Sequence, residues 1–384
     1  MSNSNIHNNR NNRNNKKRYI KSNAIKKKTF LILSDYIDSK IVEKMFNNKY
    51  WKPSNIKLYK NKKNKEKYVD FIYTDGKKSS IKYIWDIKSN VYNTLSDSAY
   101  VVTDKKKLYN NFKKLHPKLV KKYMMEQYSV DILNKKDIEL LKLNKFKNIF
   151  KNNSTWILKP VIGYKGHGIK VVNNYNDMMQ HFNNNLYKKD HTHYLSKYIK
   201  KDSNPWVIAK YIDNPLLYGG KKFHIRMNIM YFVINNDNKL KNKVIKKFLF
   251  KDGSIIRAKK NYKKNNYENK DIHDTHHIID YELDFIDEFT KEFGLDKTNK
   301  VLKEIKKITD IIFKILDINN ANCYPNTINC FNVFGLDIMV DDNFNVKLLE
   351  CNYKPSLALI KNNIKEYFEN IIDIVMKNIY PNDI

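Results

Sequence analysis

Three oxygen-bearing side chains near the C-terminal end stand where the local pattern calls for apolar ones. The stretch Asn329–Ser356, NCFNVFGLDIMVDDNFNVKLLECNYKPS, reads as two strands, Val333 to Val340 and Phe344 to Cys351, joined by a polar turn at Asp341, Asp342 and Asn343. Asp337 lies on the first strand, Glu350 on the second and Asn352 just beyond it. A hairpin brings the three together. Hard oxygen donors converging in an apolar setting suit Mg²⁺, which takes carboxylates together with phosphate oxygens. The plainer alternative is two solvent-facing acids at strand ends, because buried unpaired carboxylates are costly.

A second cluster begins at Ser154, STWILKPVIGYKGHGIKVV. Trp156 to Leu158 and Ile169 to Val172 read as strands, Lys159 closes the first, and Gly163, Gly166 and Gly168 fall in the turn between them. The whole chain has only 9 glycines, so their gathering here asks for a backbone reason. Amides in such a turn can approach phosphate oxygens with no Cβ in the way, and a lysine at the strand end adds charge. The spacing is not GxxxxGK[ST], and no helix follows as a dinucleotide fingerprint requires. Two readings stay open, a lid over a triphosphate or a tight hairpin.

Arginine is equally sparse. Arg10, Arg13 and Arg18 lie in the N-terminal tail, leaving Arg226 and Arg257 in a body that otherwise uses lysine. Isolated arginines suggest positions that need a planar fork to grip a carboxylate or phosphate. Arg226 falls on a predicted strand, Phe223 to Ile234, whose hairpin partner, Val244 to Phe250, leads through Lys251, Asp252 and Gly253 to Ile256 and Arg257, so that on paired antiparallel strands the two arginines could face one cavity. His273, His276 and His277 lack the carboxylate or cysteine that would complete a standard metal pattern.

The elements that must hold these residues follow from periodicity. Met1 to about Lys28 is Asn-, Lys- and Arg-rich and is expected to be disordered. A small α/β N-terminal domain is expected over 29–103, with a strand at Phe30 to Leu33, a helix at Ile37 to Phe46, and a hairpin turning at Asp75 and Gly76 between Val69 to Tyr73 and Ser80 to Trp85. A central domain with the glycine-rich turn is expected over 104–200 and a C-terminal domain with the acidic hairpin over 201–384. Helices are predicted at Asp104 to Lys121 and Asp137 to Phe150. Another carries an apolar stripe, Val301, Ile305, Ile308, Ile312 and Leu316, and a last one runs from about Ile360 to Ile379.

With 384 residues, 41% hydrophobic and 13% aromatic, the chain can bury sizeable cores. Its 73 basic against 40 acidic residues give a net charge of +33, which favours a polyanionic partner, although abundant Asn and Lys throughout point in part to coding bias. Cys323, Cys330 and Cys351 match no disulfide framework or zinc spacing, which fits a reducing compartment. No apolar run of membrane-spanning length and no signal-peptide core is present. The expectation is a soluble, cytoplasmic protein with no membrane partner.

A lysine-ended strand with a glycine loop, a central basic strand pair and a late hairpin with Asp, Glu and Asn occur in this order in the ATP-grasp fold. More closely, WILKPVIGYKGHGI, YIDNPLLYGGKKFHIR, FGLDIMVDDNFNVKLLECN and the following PS resemble the tubulin tyrosine ligase-like family, over about Tyr100 to Tyr380. The resemblance implies an α+β ATP-grasp architecture, with antiparallel sheets flanked by helices. It implies that Lys159 contacts ATP phosphates under a loop holding Gly163, Lys165, Gly166 and Gly168. Lys210, Tyr211 and Ile212 would lie along the adenine, with Lys222 and Thr275 beside the nucleotide. Arg226 and Arg257 would face the amino-acid substrate, and Asp337, Glu350 and Asn352 would hold Mg²⁺.

The implied reaction is ATP-dependent. A carboxylate attacks the γ-phosphate, and an amine displaces phosphate from the acyl phosphate to form an amide. The implied acceptor is an acidic protein tail, tubulin foremost, placing the protein at the cytoskeleton. The implied donor is a free amino acid, glutamate before tyrosine. Three positions depart from the family pattern: His224 replaces an Asp, Ala209 a Gln and His276 an Asn. A non-catalytic basic module binding nucleic acid or microtubules would explain the charge but not the converging acids.

Overall fold

The computed structural model describes residues 26–33, 46, 49–55, 68–74, 87–151, 154–161, 168–186, 203–235, 243–275, 283–355 and 364–383. The basic tail, the helix expected at Ile37 to Phe46, the Ser80 to Trp85 strand, Gly163, Lys165, Gly166, His276 and His277 lie largely or wholly outside them.

The described strands form two sheets. In the larger one the order is β12-β11-β10-β13-β4-β3-β1-β2, with β14 also on β13 and β9 on β10. These are β1 (Lys28–Leu33), β2 (Trp51–Pro53), β3 (Tyr68–Thr74), β4 (Lys88–Tyr92), β9 (Leu217–Tyr218), β10 (Lys221–Asn235), β11 (Lys243–Arg257), β12 (Leu283–Asp284), β13 (Thr327–Val340) and β14 (Val346–Tyr353). The smaller sheet is antiparallel, in the order β5-β8-β6-β7, from Gln127–Asp131, Trp156–Pro160, Lys170–Val172 and Pro205–Lys210 for β5, β6, β7 and β8. The architecture is the mixed helix-and-sheet one expected.

One expectation at the N-terminal end is overturned. The partner of β3 on the side facing β13 is β4, and the pair runs parallel with Phe71 opposite Val91, so β3 is not the first arm of a hairpin through Asp75 and Gly76. Parallel pairing needs a longer crossover, which a two-residue turn signal cannot reveal. β4 in turn pairs β13 through Thr327 opposite Ser89, so β1 to β4 continue the sheet that carries the acidic hairpin.

Helices follow their sequence signals. The expected 104–121 helix is split by Pro117 into α2 (Lys105–Leu115) and α3 (Pro117–Tyr123), after a short α1 (Tyr100–Thr103). Asp104 caps α2 by accepting from the Lys107 amide at 2.8 Å. Next come α4 (Lys135–Lys142) and α5 (Asn144–Asn148) in place of the single 137–150 helix, then α6 (Tyr175–Asn185), α7 (Lys270–His273), α8 (Phe285–Phe293), α9 (Leu295–Ile318) and α10 (Ile364–Ile379). The stripe from Val301 to Leu316 is buried along α9 as the spacing requires.

The central strand β10 sets the layout. Its odd residues Phe223, Ile225, Met227, Ile229, Tyr231 and Val233 pack in the core shared with α8 and α9. On the other face Met230, Phe232 and Ile234 join a second core with Phe368, Ile371, Ile372 and Val375 of α10. Between those apolar residues and the strand's start, the same face carries Lys222, His224, Arg226 and Asn228, all buried. Four buried polar side chains in a row require partners.

Cys323 and Cys330 are joined by a disulfide, with Cα atoms 5.5 Å apart, and Cys351 is a buried free thiol. This corrects the expectation drawn from their spacing. The pair closes a seven-residue loop as the chain passes from α9 into β13, and it is the geometry of that turn that brings the Cα atoms within bonding range.

Candidate active site

Arg226 stands opposite Asp337 across the β10–β13 ladder, and Asp337 stands opposite Glu350 across β13–β14. A bulge after Asp337 skips Leu349, so that Glu350 and Asn352 share the face of Asp337 while Leu348 pairs Ile338. Three strands therefore present Arg226, Asp337, Glu350 and Asn352 on one surface. The Arg226 guanidinium grips Asp337 with two nitrogens, Nε on Oδ1 and Nη2 on Oδ2, the latter at 3.0 Å. Burial works against the Arg226 charge, but Asp337, with a smaller contribution from Glu350, more than offsets it and raises its pKa.

Gly335 makes this reach feasible. A Cβ there would lie 2.9 Å from Arg226 Cδ and 2.8 Å from Pro355 Cβ, too close for either. Asn352 completes the group, its Nδ2 donating to Asp337 Oδ2 at 3.0 Å and to Glu350 Oε1 at 3.1 Å. Both carboxylates are thus within reach of a single amide, and turning that amide over points its oxygen at the same spot. Two carboxylates and an amide oxygen are a donor set that fits Mg²⁺. No cluster of three or more His, Cys, Asp or Glu stands close enough to hold a metal among the described residues, so the fit rests on Asn352 as third donor.

Next to this surface, between the two sheets, lies a cavity of about 340 Å³. Of the residues singled out in the sequence, Lys159, Lys210, Tyr211, Ile212, Lys222 and Thr275 line it. Gly168, at φ +75°, packs by Pro160 and Trp206 and is not among the lining residues, while the rest of its loop lies outside the described residues. Of the lysines lining the cavity, Lys222 is buried and Lys159 is partly so. Burial lowers the pKa of both, and Lys222 is pushed down to about 7 with help from the neighbouring charge of Lys159. Desolvated ammonium groups of this kind favour an anion in the cavity, because an anion restores the charged form.

His224, the departure from the family's Asp, is 2% exposed. Its Nδ1 lies 2.7 Å from Thr275 Oγ1, and its Nε2 lies 3.7 Å from Asp337 Oδ1. It thus links the cavity wall to the acidic row. Ala209, the second departure, lines the cavity as a small side chain.

Arg257 is placed differently from Arg226. Its register partner is Phe223, on the face of β10 that meets the helices, and its guanidinium lies 5.7 Å from the Tyr218 ring centroid. The two arginines occupy opposite faces of the ladder, so the structure does not bring them to one cavity. Strand parity decides this, and the bulge between Met227 and Ile229 does not alter it at Arg257.

Several lining residues carry no distinguishing sequence signal. Lys105 pairs with Glu350 at 3.4 Å but is one lysine of a KKK run, and Met339 and Leu348 are ordinary strand hydrophobes. Lys170 of β7 and Glu268, both lining the cavity, pair at 2.5 Å. Cys351 lies behind the row, its thiol pushed well up by burial and by Asp337 and Glu350.

A lysine-walled cavity between an antiparallel sheet and a mixed sheet, opening beside an Asp–Glu–Asn row, is the layout of an ATP-grasp protein. Residues 88–384 match the model of the tubulin-tyrosine ligase family, and the chain belongs to that family. It is 26% identical over 250 residues to a probable alpha-tubulin polyglutamylase of Tetrahymena thermophila, covering 60% of this chain and 55% of that one. It is 25% identical over 252 residues to a probable tubulin polyglutamylase of Caenorhabditis elegans, covering 59% and 54%. A tubulin glycylase of T. thermophila is 24% identical over 247 residues, covering 58% of this chain and 20% of the relative. The chain spans about half the length of the first two relatives and a fifth of the third. No helix among the described residues is long and apolar enough to cross a membrane.

Proposed function

We propose that this protein is an ATP-dependent amino-acid ligase that forms an amide bond on an acidic protein tail, with tubulin as acceptor and glutamate as the amino acid added. The observation that carries the reading is the junction of the lysine-walled cavity with the Arg226–Asp337–Glu350–Asn352 surface. Membership of the family supports the reaction class, and the two polyglutamylase relatives support the choice of glutamate.

The residues have separable roles in this reading. Lys159 and Lys222 hold the nucleotide's phosphates, Met339 and Leu348 give its base an apolar wall, and Thr275 receives the sugar edge. Asp337, Glu350 and Asn352 would hold Mg²⁺. When bound, the ion neutralises phosphate charge and so eases the approach of a carboxylate. Arg226 aligns Asp337 and carries the positive charge that meets the incoming carboxylate. The acceptor carboxylate takes the terminal phosphoryl group of ATP, releasing ADP. An amine then displaces phosphate to form the amide. Preorganised charge around two anions is the main source of acceleration such a site offers. The chain's +33 charge favours encounter with acidic tails. A tubulin acceptor places the protein with microtubules.

The test is incubation with ATP, Mg²⁺, tubulin and radiolabelled glutamate, glycine or tyrosine in turn, beside Glu350→Gln. Label from glutamate on tubulin, absent in the variant, is the expected result. Label from another amino acid would replace the donor. No label from any, with salt-sensitive polyanion binding intact, would favour a binding module.

A further inference from the structure

Lys222, Tyr211 and His273 come from three separate segments and meet in one hydrogen-bonded line. Lys222 begins β10, Tyr211 follows β8, and His273 ends α7, a one-turn helix capped by Asn269, whose side chain accepts from the Asp271 amide at 3.0 Å. Lys222 Nζ donates to Tyr211 Oη at 2.6 Å, and Tyr211 Oη lies 2.8 Å from His273 Nδ1. All three side chains line the cavity. The rings of Tyr262 and Tyr267, with centroids 5.4 and 5.3 Å away, wedge the His273 ring in place.

The polarity of this line follows from chemistry whenever Lys222 is charged, the form that an anion in the cavity favours. An ammonium group only donates, so the Tyr211 oxygen must accept from Lys222 and send its own proton elsewhere. The acceptor on hand is His273 Nδ1, which must then be unprotonated with its proton on Nε2. Burial and the charge of Lys222 hold the His273 pKa down to about 4, in keeping with that form. A neutral, half-buried histidine set among aromatic rings is otherwise only packing. Here it orients the one hydroxyl that Lys222 leans on.

We infer that His273 is a positioning residue for the nucleotide: acting through Tyr211, it fixes the direction of the Lys222 ammonium so that the remaining N–H donors point to a phosphate in the cavity. This rests on the nucleotide reading of the cavity given above. The groups facing Lys222 are Lys159 from β6, Asp213 beyond β8, Asp274 beyond α7, and Tyr211 and His273 themselves. Of these, the tyrosine lies at hydrogen-bond distance from the ammonium.

The experiment is titration of the full chain with ATP in the presence of Mg²⁺, across a range of pH, with melting temperature recorded for each variant. His273→Leu removes the acceptor and is expected to raise the ATP Kd about tenfold, the effect of one hydrogen bond to a charged group. Tyr211→Phe should raise it by a similar factor, and the double variant by little more, because both break the same line. His273→Asn, whose amide oxygen can accept the tyrosine proton, should recover much of what His273→Leu loses. In His273→Leu the alkaline fall in affinity should also begin at lower pH, since the charged form of Lys222 has lost an oriented acceptor. A purely structural histidine would lower the melting temperature without moving Kd or the pH profile. Unchanged affinity and profile in folded His273→Leu or Tyr211→Phe would overturn the inference, as would factors that multiply in the double variant. Failure of the unaltered protein to bind ATP would overturn the nucleotide reading and this inference with it.

Discussion

Replacing Asp337 with Ala should destabilise the fold far more than removal of a surface acid would. Arg226 is 7% exposed and Asp337 2%, and they are joined by two parallel hydrogen bonds with Asn352 on the second carboxylate oxygen. Truncating one partner of such a pair strands the other charge in low dielectric, which costs about 3–5 kcal/mol. Glu350 remains near the guanidinium and offsets part of this, so about 3 kcal/mol is the expected loss. That is a large share of the roughly 5–15 kcal/mol by which folded domains are stable. The assay is urea unfolding followed by circular dichroism, applied to Asp337→Ala, Arg226→Leu and the double variant Arg226→Leu/Asp337→Ala. Because the double variant strands no charge, it should be more stable than either single one. If each single change costs under about 1 kcal/mol and the two add, the pair is solvent-screened like a surface bridge and the account of the row is wrong.

Gly335→Ala should lower turnover more than it lowers stability. The added Cβ meets Arg226 Cδ at 2.9 Å and Pro355 Cβ at 2.8 Å, so overpacking costs about 1–3 kcal/mol and the guanidinium must shift off Asp337. Initial rates beside thermal melts check this. Lys222→Met should stabilise the protein while abolishing ATP binding. The folded Lys222 pKa is about 7 against an ordinary 10.5, so between those values the unfolded chain binds more protons and native stability rises with pH. The burial penalty is therefore fully present below about pH 7. The variant's advantage in melting temperature should be greatest there and shrink as pH climbs towards the ordinary lysine value.

The acidic hairpin was legible because strand alternation and a short turn are local, and because Asp337 and Glu350 break an apolar pattern. Arg226 was legible through rarity. Its bond to Asp337, and the separation of Arg257 from it, were not, since both depend on register between strands far apart in sequence. The change on one face of β10 from Lys222, His224, Arg226 and Asn228 to Met230, Phe232 and Ile234 is plain in hindsight as period-two spacing. Hydropathy averaged over both faces hides it. Parallel pairing of β3 with β4 escaped for a similar reason, since a crossover sets it, whereas the Cys323–Cys330 bond closes a loop of only seven residues that matches no standard cysteine framework. Lys105 is a further case: in a chain with so many lysines, only its 3.4 Å approach to Glu350 distinguishes it.

If the cavity and the acidic row form one ligase centre, ATP use and amide formation are coupled. ADP release and amino-acid incorporation would be measured together on tubulin, with and without Mg²⁺, for the unaltered protein and for Glu350→Gln. The account predicts one ADP for each amino acid joined, both requiring Mg²⁺ and acceptor, and both lost in the variant. ADP release that ignores the acceptor, or incorporation that survives Glu350→Gln, would contradict it.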